Sequence, residues 1–310
     1  MKSSGEQLML VFSNTFKPPV KPWSTIPIVS LLIGLISIIL ISFLVHYLDK
    51  KGKHKILNIL IFIYGLVFLS LEIYHEVNRF LELGHYDWSS FPFQFCSIPI
   101  YMCPILPFIK NEKIKNACFY YLGTFCLVSG IFPLLFGQGQ LCRWPNPGDT
   151  IRSFVWHILI VHIAIISIVH KKIGKNLKTN YKPMLGAIGL FISFTIIAQL
   201  INVTLHYTGG INFATTDGAP LKEIHNTRLD DPDIASCFYI SPFFVSNMPV
   251  YSSIYKAAGW IVNYIAYLLS FSLMSFILYF TYYGIYRLIN LIKDRINKDP
   301  SSSEIEPALD

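Results

Sequence analysis

Long apolar stretches separated by short charged loops dominate the sequence. Seven of them recur along the chain, at 24–47, 56–74, 91–108, 117–136, 154–170, 184–205 and 259–286. Each is near the roughly 20 residues that a helix needs to cross about 30 Å of hydrocarbon, and longer than a membrane-spanning strand. A helix also satisfies its own backbone hydrogen bonds, as lipid requires. The pattern therefore predicts an all-α membrane protein, a bundle of seven transmembrane helices.

Composition agrees with this pattern. Of the 310 residues, 53% are hydrophobic and only 14% are charged, whereas soluble domains carry about 25% charged residues. The mean hydropathy is +0.49. The first 22 residues lack an apolar run long enough for a cleavable signal peptide, so we expect the first helix to direct insertion itself.

The segments divide the chain into three parts. Residues 1–23 form a short arm, residues 24–291 the membrane domain and residues 292–310 a polar tail. A loop at 206–256 interrupts the membrane domain. A loop of this length is either a lid over a site or a surface cap.

The chain has a net charge of +7, and the distribution of its basic residues indicates its orientation in the membrane. Most of the 25 Lys and Arg residues fall on the side that carries the 1–2, 3–4 and 5–6 loops and the C-terminus. The positive-inside rule then places the N-terminus outside and the C-terminus in the cytoplasm. The charge is thereby explained without a nucleic-acid partner.

Polar side chains of five predicted helices share one depth in this topology, near the outer ends. They are Glu72, His75, Glu76, Gln94, Cys96, His157, Gln199, Asn202, Asn263 and Tyr264. A charged group at the bilayer centre costs about 2.5–3.5 kcal/mol on insertion scales, and intramembrane polar groups tend to line cavities. We therefore expect a functional cavity that opens to the outside.

Cys96 and His157 form the candidate catalytic pair of this cavity. A buried thiol is inert by itself, but a neutral imidazole within reach accepts its proton and creates a nucleophile. Glu72 or His75 is then expected to orient the imidazole, as a third group does in catalytic triads. The amide of Gln94 is a candidate donor to the developing oxyanion.

Each candidate has a plainer interpretation. Most lone cysteines in membrane helices serve packing, which we assign to Cys103, Cys118 and Cys126. His162 lies about 140° around the helix from His157, so the two do not face one site. Glu72, His75 and Glu76 have a spacing that suits a metal, but no second external His pair supports one. The sequence therefore predicts no metal and no cofactor.

Two further pairs lie in the predicted external loops. Arg143 and Arg152 flank the outer mouth, where they either hold a lipid phosphate or merely bracket the membrane. Cys142 and Cys237 are the two cysteines outside the apolar segments, and an external location favours a disulfide between them. The alternative is two unrelated thiols.

The stretch FPFQFC at 91–96, with a histidine two helices later in SFVWHILIV at 153–161, resembles a family signature. It is that of the YwaF-type bacterial integral membrane proteins and of their eukaryotic relatives, the transmembrane protein 164 phospholipid acyltransferases. The order and spacing of the seven segments resemble that family too, as does INFATTDGAP at 211–220. The resemblance implies acyl transfer through Cys96 and His157, in a bacterial plasma membrane.

The leading hypothesis is thus an integral membrane lipid acyltransferase near the outer leaflet, with membrane phospholipids as its partners and no protein partner indicated. A lipid hydrolase with the same centre is one alternative. A seven-helix receptor or sensor that binds a small or lipid ligand in the outer cavity is another. A proton-coupled transporter ranks last because polar residues do not continue to the inner side.

Overall fold

The computed structural model of the protein describes residues 20–83, 86, 91–142, 147–208, 237–239 and 249–298. The main helices in these ranges are α1 (Thr25–Lys50), α2 (His54–Leu83), α3 (Ile98–Ile105), α4 (Glu112–Leu135), α5 (Pro147–Lys171), α6 (Leu177–Thr208) and α7 (Pro249–Lys298). Single helical turns lie at Leu106–Phe108, Gln138–Leu141 and Cys237–Tyr239. The described residues contain no strand, so the predicted all-α class is confirmed.

Six of these helices, all except α3, are long and apolar enough to cross a membrane. The protein is a multi-pass membrane protein, as predicted. The third segment differs from expectation, because its apolar helical run covers only Ile98–Phe108. That run is well below the roughly 20 residues of a spanning helix. The described chain thus supplies six span-length helices and one short helix in place of seven long ones.

Proline chemistry explains the short third helix. The segment from Phe91 to Ser97 is a turn, and the helix begins at Ile98 with Pro99 in its first turn. A helix begun at Pro92 would have to do without a hydrogen bond from Pro99, which has no N–H. In the first turn that N–H is not needed. Pro92 therefore precedes the helix and does not open it.

Helix α4 lies at the centre of the bundle, packed against α5 and α6. Helix α5 also packs against α1 and α2, and α3 lies along α2. At the crossing of α2 and α3, a Cβ on Gly65 would come within 2.7 Å of Pro104. Glycine at this position therefore lets the short helix lie directly on α2.

Ring contacts define one end of the bundle. His170 near the end of α5 contacts His54 at the start of α2 and Phe119 in the first turns of α4. Phe108, just after α3, contacts Phe62 in α2. We call this the basic end, because the lysine-bearing loops at 51–53, 109–111 and 172–176 belong to it. The opposite end is the far end, and which of them faces the cytoplasm stays a prediction.

The described part of the predicted external loop consists of the end of α6, which runs to Thr208, and of two further pieces. One is the turn Cys237–Tyr239, and the other is the start of α7, which is helical from Pro249 and broken at Gly259 (φ +80°). At its other end α7 continues to Lys298, into the predicted tail. The arm at 1–19, INFATTDGAP and the tail from 299 onward lie outside the described residues.

Candidate functional site

Cys96 lies in a tight turn that precedes α3. The N–H of Ser97 donates to the carbonyl of Gln94 at 2.8 Å, which closes a turn over the two predicted site residues Gln94 and Cys96. The Tyr101 hydroxyl donates to the carbonyl of Pro92 at 2.8 Å and ties the turn back onto α3. Since both polar residues belong to one turn, they do not need to share a helix face.

Trp156 of α5 fixes the position of this turn. Its indole Nε1–H donates to the main-chain carbonyl of Cys96 at 3.1 Å. The indole ring also packs edge-on against Phe68 of α2, with ring centroids 4.7 Å apart. Cys96 is therefore held against the helix that carries His157, the residue after Trp156.

Above Phe68 and Trp156, α2 and α5 continue to make contacts toward the far end. Arg152 Nη1 donates to Glu72 Oε2 at 3.3 Å, and His75 Nδ1 lies 3.0 Å from Asp149 Oδ1. Because the helices are antiparallel, ascending residues of α2 meet descending residues of α5. We call these three rungs, Phe68–Trp156, Glu72–Arg152 and His75–Asp149, the α2–α5 ladder.

The ladder is polar and nearly inaccessible. The side chains of His75 and Asp149 are each 3% exposed, and those of Glu72 and Arg152 are each 10% exposed. Arg152 also approaches Asp149, with Nε 3.7 Å from Oδ1, and its guanidinium lies over the Trp156 ring. Buried charges are strongly destabilising unless they are paired. The contacts of this network pair Glu72 and Asp149 with Arg152, so these charges can stay inside the bundle.

His157 is buried, and its orientation comes from its own helix. Its Nδ1 lies 2.7 Å from the carbonyl of Ser153. A carbonyl accepts only, so Nδ1 carries the proton and Nε2 carries the lone pair. Glu72 and His75, the expected orienting residues, are instead partners of Arg152 and Asp149. In the structure the hydrogen-bond partner of His157 is the backbone carbonyl of Ser153, one turn away, and a supporting role for Glu72 or His75 stays a prediction.

Close packing with α4 sets the position of His157. A Cβ on Gly130 of α4 would meet the side chain of Val161 at 2.9 Å and the carbonyl of His157 at 3.1 Å. Glycine thus allows the two backbones to approach at the level of the imidazole. In the structure the Cys96 thiol and the His157 ring do not hydrogen bond, and Trp156 makes the contact. Catalytic hydrogen bonds often tighten only when substrate is bound.

His162 belongs to a different contact set, as its position on the helix predicted. Its Nε2 lies 3.0 Å from the Ser37 hydroxyl and its Nδ1 3.0 Å from the Tyr64 hydroxyl. The Ser37 hydroxyl also donates to the carbonyl of Gly34. The hydroxyl of Tyr64 then donates to Nδ1, and Nε2–H donates to Ser37. All polar atoms are satisfied, which makes this a structural joint of α1, α2 and α5.

Cys142 and Cys237 are both free thiols in the structure, so the predicted disulfide between them is absent. They belong to separate apolar clusters, Cys142 with Leu134 and Phe154, and Cys237 with the main core. Burial raises the pKa of Cys237 to about 12, and it also raises the pKa of Cys142. Both sulfurs therefore act as packed, protonated groups.

Asn202 of α6 holds the loop residue Cys237 from both sides. The Cys237 N–H donates to Asn202 Oδ1 at 2.7 Å, and Asn202 Nδ2 donates to the Cys237 carbonyl at 3.2 Å. The next residue, Phe238, has φ +58° and is fully buried. Its ring lies 5.8 Å from Phe93 and 6.0 Å from Phe95. Part of the predicted external loop thus packs against the turn of Cys96.

Sequence reasoning missed Asp149, Ser153 and Trp156. Asp149 lies before the apolar segment 154–170, and Ser153 and Trp156 lie between Arg152 and His157 in the sequence. Their signal was spacing, since Asp149, Arg152 and Trp156 lie three and four residues apart and share one helix face. Among the predicted residues, Arg143 lies outside the described chain. Within the ranges that are described, no three His, Cys, Asp or Glu side chains are grouped to hold a metal ion.

Comparison with known proteins identifies one relationship. The model of the TMEM164 family matches residues 20–283. No curated protein and no solved structure matches the chain.

Proposed function

The chain belongs to the TMEM164 family, and we propose that it is an integral membrane acyltransferase that moves an acyl chain between phospholipids. Cys96 is the nucleophile and His157 its base. The observation that carries the proposal is the hydrogen bond from Trp156 to the Cys96 carbonyl. This bond fixes the turn that bears the thiol against α5, the helix that supplies the imidazole. The donor, Trp156, directly precedes His157 in the sequence.

The proposed reaction begins with transfer of the Cys96 proton to Nε2 of His157, which holds the lone pair because Nδ1–H is bonded to Ser153. The thiolate attacks the carbonyl carbon of a phospholipid ester. The ester C–O bond breaks, the departing lipid oxygen takes the proton from His157, and a thioester on Cys96 and a lysophospholipid result. A second lysophospholipid then gives its hydroxyl proton to His157, attacks the thioester and displaces the Cys96 thiolate, which regains its proton from His157. The Gln94 amide is the proposed donor to the oxyanion.

Arg143 and Arg152 remain the proposed contacts of the lipid phosphate. For Arg152 that role requires a shared guanidinium, because Glu72 and Asp149 already engage it. A guanidinium has five N–H donors, so a carboxylate and a phosphate oxygen can bind it together. The relationship to YwaF-type proteins stays a prediction, as does the location of the protein in a bacterial plasma membrane.

An exchange assay tests the function. The purified protein in lipid nanodiscs should transfer a labelled acyl chain from phospholipid to lysophospholipid, and Cys96→Ala should abolish the transfer. His157→Ala should lower the rate by about 10²–10⁴-fold, the usual contribution of a general base. Cys103→Ala is the matched control, because Cys103 is a buried packing thiol and its removal leaves the chemistry intact.

Full exchange by Cys96→Ala would refute the proposal. Release of free fatty acid without acceptor, with the same dependence on Cys96, would identify the hydrolase alternative. In that case water replaces the lysophospholipid as the group that attacks the thioester.

A further inference from the structure

Helices α6 and α7 meet along a strip of polar contacts that the proposed mechanism does not use. The Thr195 hydroxyl of α6 donates to the carbonyl of Ile192, so the Tyr264 hydroxyl of α7 donates to Thr195 Oγ1 at 3.0 Å. One turn nearer the basic end, the rings of Phe191 and Tyr267 stack. These contacts set the register of the antiparallel pair. We call the strip between residues 191–202 of α6 and 260–267 of α7 the α6–α7 seam.

Two amide side chains of the seam carry buried polar atoms that have no hydrogen-bond partner among the described residues. They are both amide atoms of Gln199 and the Oδ1 atom of Asn263. Asn263 as a whole is 2% exposed. An unpaired amide is costly in an apolar setting, so we expect a polar group from outside the described chain to meet these atoms.

The register brings the two amides to one place. Gln199 lies one turn beyond Thr195 toward the far end, on the same face of α6. Asn263 directly precedes Tyr264, so it lies about 1.5 Å further toward the far end along α7. Since Thr195 and Tyr264 are hydrogen bonded, both amides lie within about one helical turn of that contact.

The seam is closed toward the far end and borders the lipid-facing surface. Asn202, three residues beyond Gln199, uses both ends of its amide to hold the backbone of Cys237. Beside Gln199, the side chains of Ile196 and Leu200 are exposed, as those of membrane helices are where they contact lipid. A molecule that reaches the two amides therefore enters sideways from the bilayer, which makes a lipid the fitting ligand.

The balance of donors and acceptors selects the kind of lipid. The two amide oxygens, Gln199 Oε1 and Asn263 Oδ1, only accept hydrogen bonds, so the ligand needs a donor. The glycerol esters of a two-chain phospholipid contain none. A lysophospholipid has a free hydroxyl beside its ester carbonyl, so it can donate to these oxygens and accept from Gln199 Nε2. Reversing the Gln199 amide changes nothing, because neither of its ends has a partner.

We propose that the α6–α7 seam binds a lysophospholipid, whose glycerol hydroxyl donates to Gln199 or Asn263 and whose ester carbonyl accepts from Gln199. The binding stands on the seam alone. Its role rests on the proposed function, in which a lysophospholipid is both product and acceptor and the seam is its route to and from the bilayer. The seam borders the Cys96 turn, since the rings of Phe191 and Phe95 lie 5.8 Å apart.

Competition between lipids that share one headgroup tests the ligand. Lysophosphatidylcholine has a single hydrogen-bond donor, its glycerol hydroxyl, whereas its 2-deoxy analogue has none. A photoactivatable lysophosphatidylcholine is crosslinked to the protein in phosphatidylcholine nanodiscs, with Cys96→Ala present so that no acyl transfer consumes the probe. The crosslinks should map to α6 or α7 by mass spectrometry. Unlabelled lysophosphatidylcholine should compete about tenfold better than the deoxy analogue, the cost of leaving an acceptor unpaired.

Substitution of the amides separates a ligand site from a structural contact. Gln199→Met and Asn263→Leu each replace an unpartnered amide with an apolar side chain of similar size, so without added lysophospholipid they should unfold at the wild-type temperature or above it. Crosslinking should fall about tenfold in both, and the preference for the hydroxyl should disappear. Ser193→Ala is the matched control, because Ser193 is a lipid-facing polar residue of α6 and its removal should change neither quantity.

Three results would overturn the seam site. They are equal competition by the two lipids, unchanged crosslinking in Gln199→Met and Asn263→Leu, and a loss of folding or of unfolding temperature in these variants. The last would mean that the amides bond to protein groups. None of these readouts needs acyl exchange. A wild-type protein that binds lysophosphatidylcholine in the seam and transfers no acyl chain would refute the proposed function and leave the seam site standing.

Discussion

Arg152 contacts three side chains of the α2–α5 ladder: it is paired with Glu72 and Asp149 and lies over the ring of Trp156. Its charge is therefore part of the balance that lets two carboxylates stay buried. The same side chain covers the indole that holds the Cys96 turn. One residue thus links the electrostatics of the site to its geometry.

Replacing Arg152 with Gln should destabilise the protein by about 3–5 kcal/mol, the usual cost of breaking a buried pair, because a carboxylate is left uncompensated. Thermal unfolding in detergent measures this effect. Arg287→Gln, at an exposed position of α7, is the control and should unfold near the wild-type temperature. Similar unfolding temperatures for the two variants would contradict the structural role of Arg152.

The sequence identified Cys96 and His157 as candidates because a thiol and an imidazole stand out inside apolar segments. It did not identify their supporting residues. Asp149 and Trp156 become informative only once α2 and α5 pair in register, and that pairing is a tertiary property that no local pattern encodes. The disulfide failed for the same reason, since the location of Cys142 and Cys237 in loops says nothing about which core each thiol enters.

Among the helices, α3 shows how local chemistry overrides hydropathy. The segment 91–108 is apolar enough for a span, but Pro99 moves the helix start to Ile98. The residues before it form the turn that presents Cys96. A full-length helix would have hydrogen bonded its own backbone at this point, and the Cys96 carbonyl would not have been available to Trp156.

The crossing of α4 and α5 should be sensitive to side-chain volume at Gly130. Gly130→Val should clash with Val161 and the His157 carbonyl, cost about 1–3 kcal/mol and lower acyl exchange by displacing the imidazole. Gly189→Val is the control, because a Cβ on Gly189 of α6 meets nothing within 4 Å. Unfolding temperature and exchange rate are measured for both variants. Equal behaviour of the two would mean that the crossing tolerates expansion.

Six of the seven predicted segments became span-length helices, each longer than its apolar stretch. Helix α2, for example, runs from His54 to Leu83, whereas its apolar stretch covers only 56–74. The hydropathy pattern locates the part of a helix that contacts lipid, but it does not detect the polar turns that extend the helix at its ends. Those extensions carry His75 and Asp149, so the pattern located the bundle better than the site.

At the scale of the whole molecule, the proposed site and the lysine-bearing loops lie toward opposite ends of the bundle. The α2–α5 ladder extends toward the far end, and the lysine-bearing loops lie at the basic end. The positive-inside rule then places the basic end in the cytoplasm. The proposed site would face the outer leaflet in that orientation.

A cysteine scan of the two ends tests the orientation. Lys21→Cys at the far end and Lys51→Cys at the basic end are exposed positions. A membrane-impermeant maleimide added to intact cells should label Lys21→Cys, and it should label Lys51→Cys only after permeabilisation. The wild-type chain, whose thiols are mostly buried, sets the background. The opposite labelling pattern would reverse the predicted topology.

The hydrogen bond between Trp156 and Cys96 uses the main-chain oxygen of Cys96. Every residue has that oxygen, so the scaffold does not depend on which side chain stands at position 96. A serine or threonine there would occupy the same turn, with a hydroxyl in place of the thiol. The proposed reacting atom can accordingly be exchanged without rebuilding its support, so the hydrogen bond that positions this turn leaves the choice of nucleophile open to design.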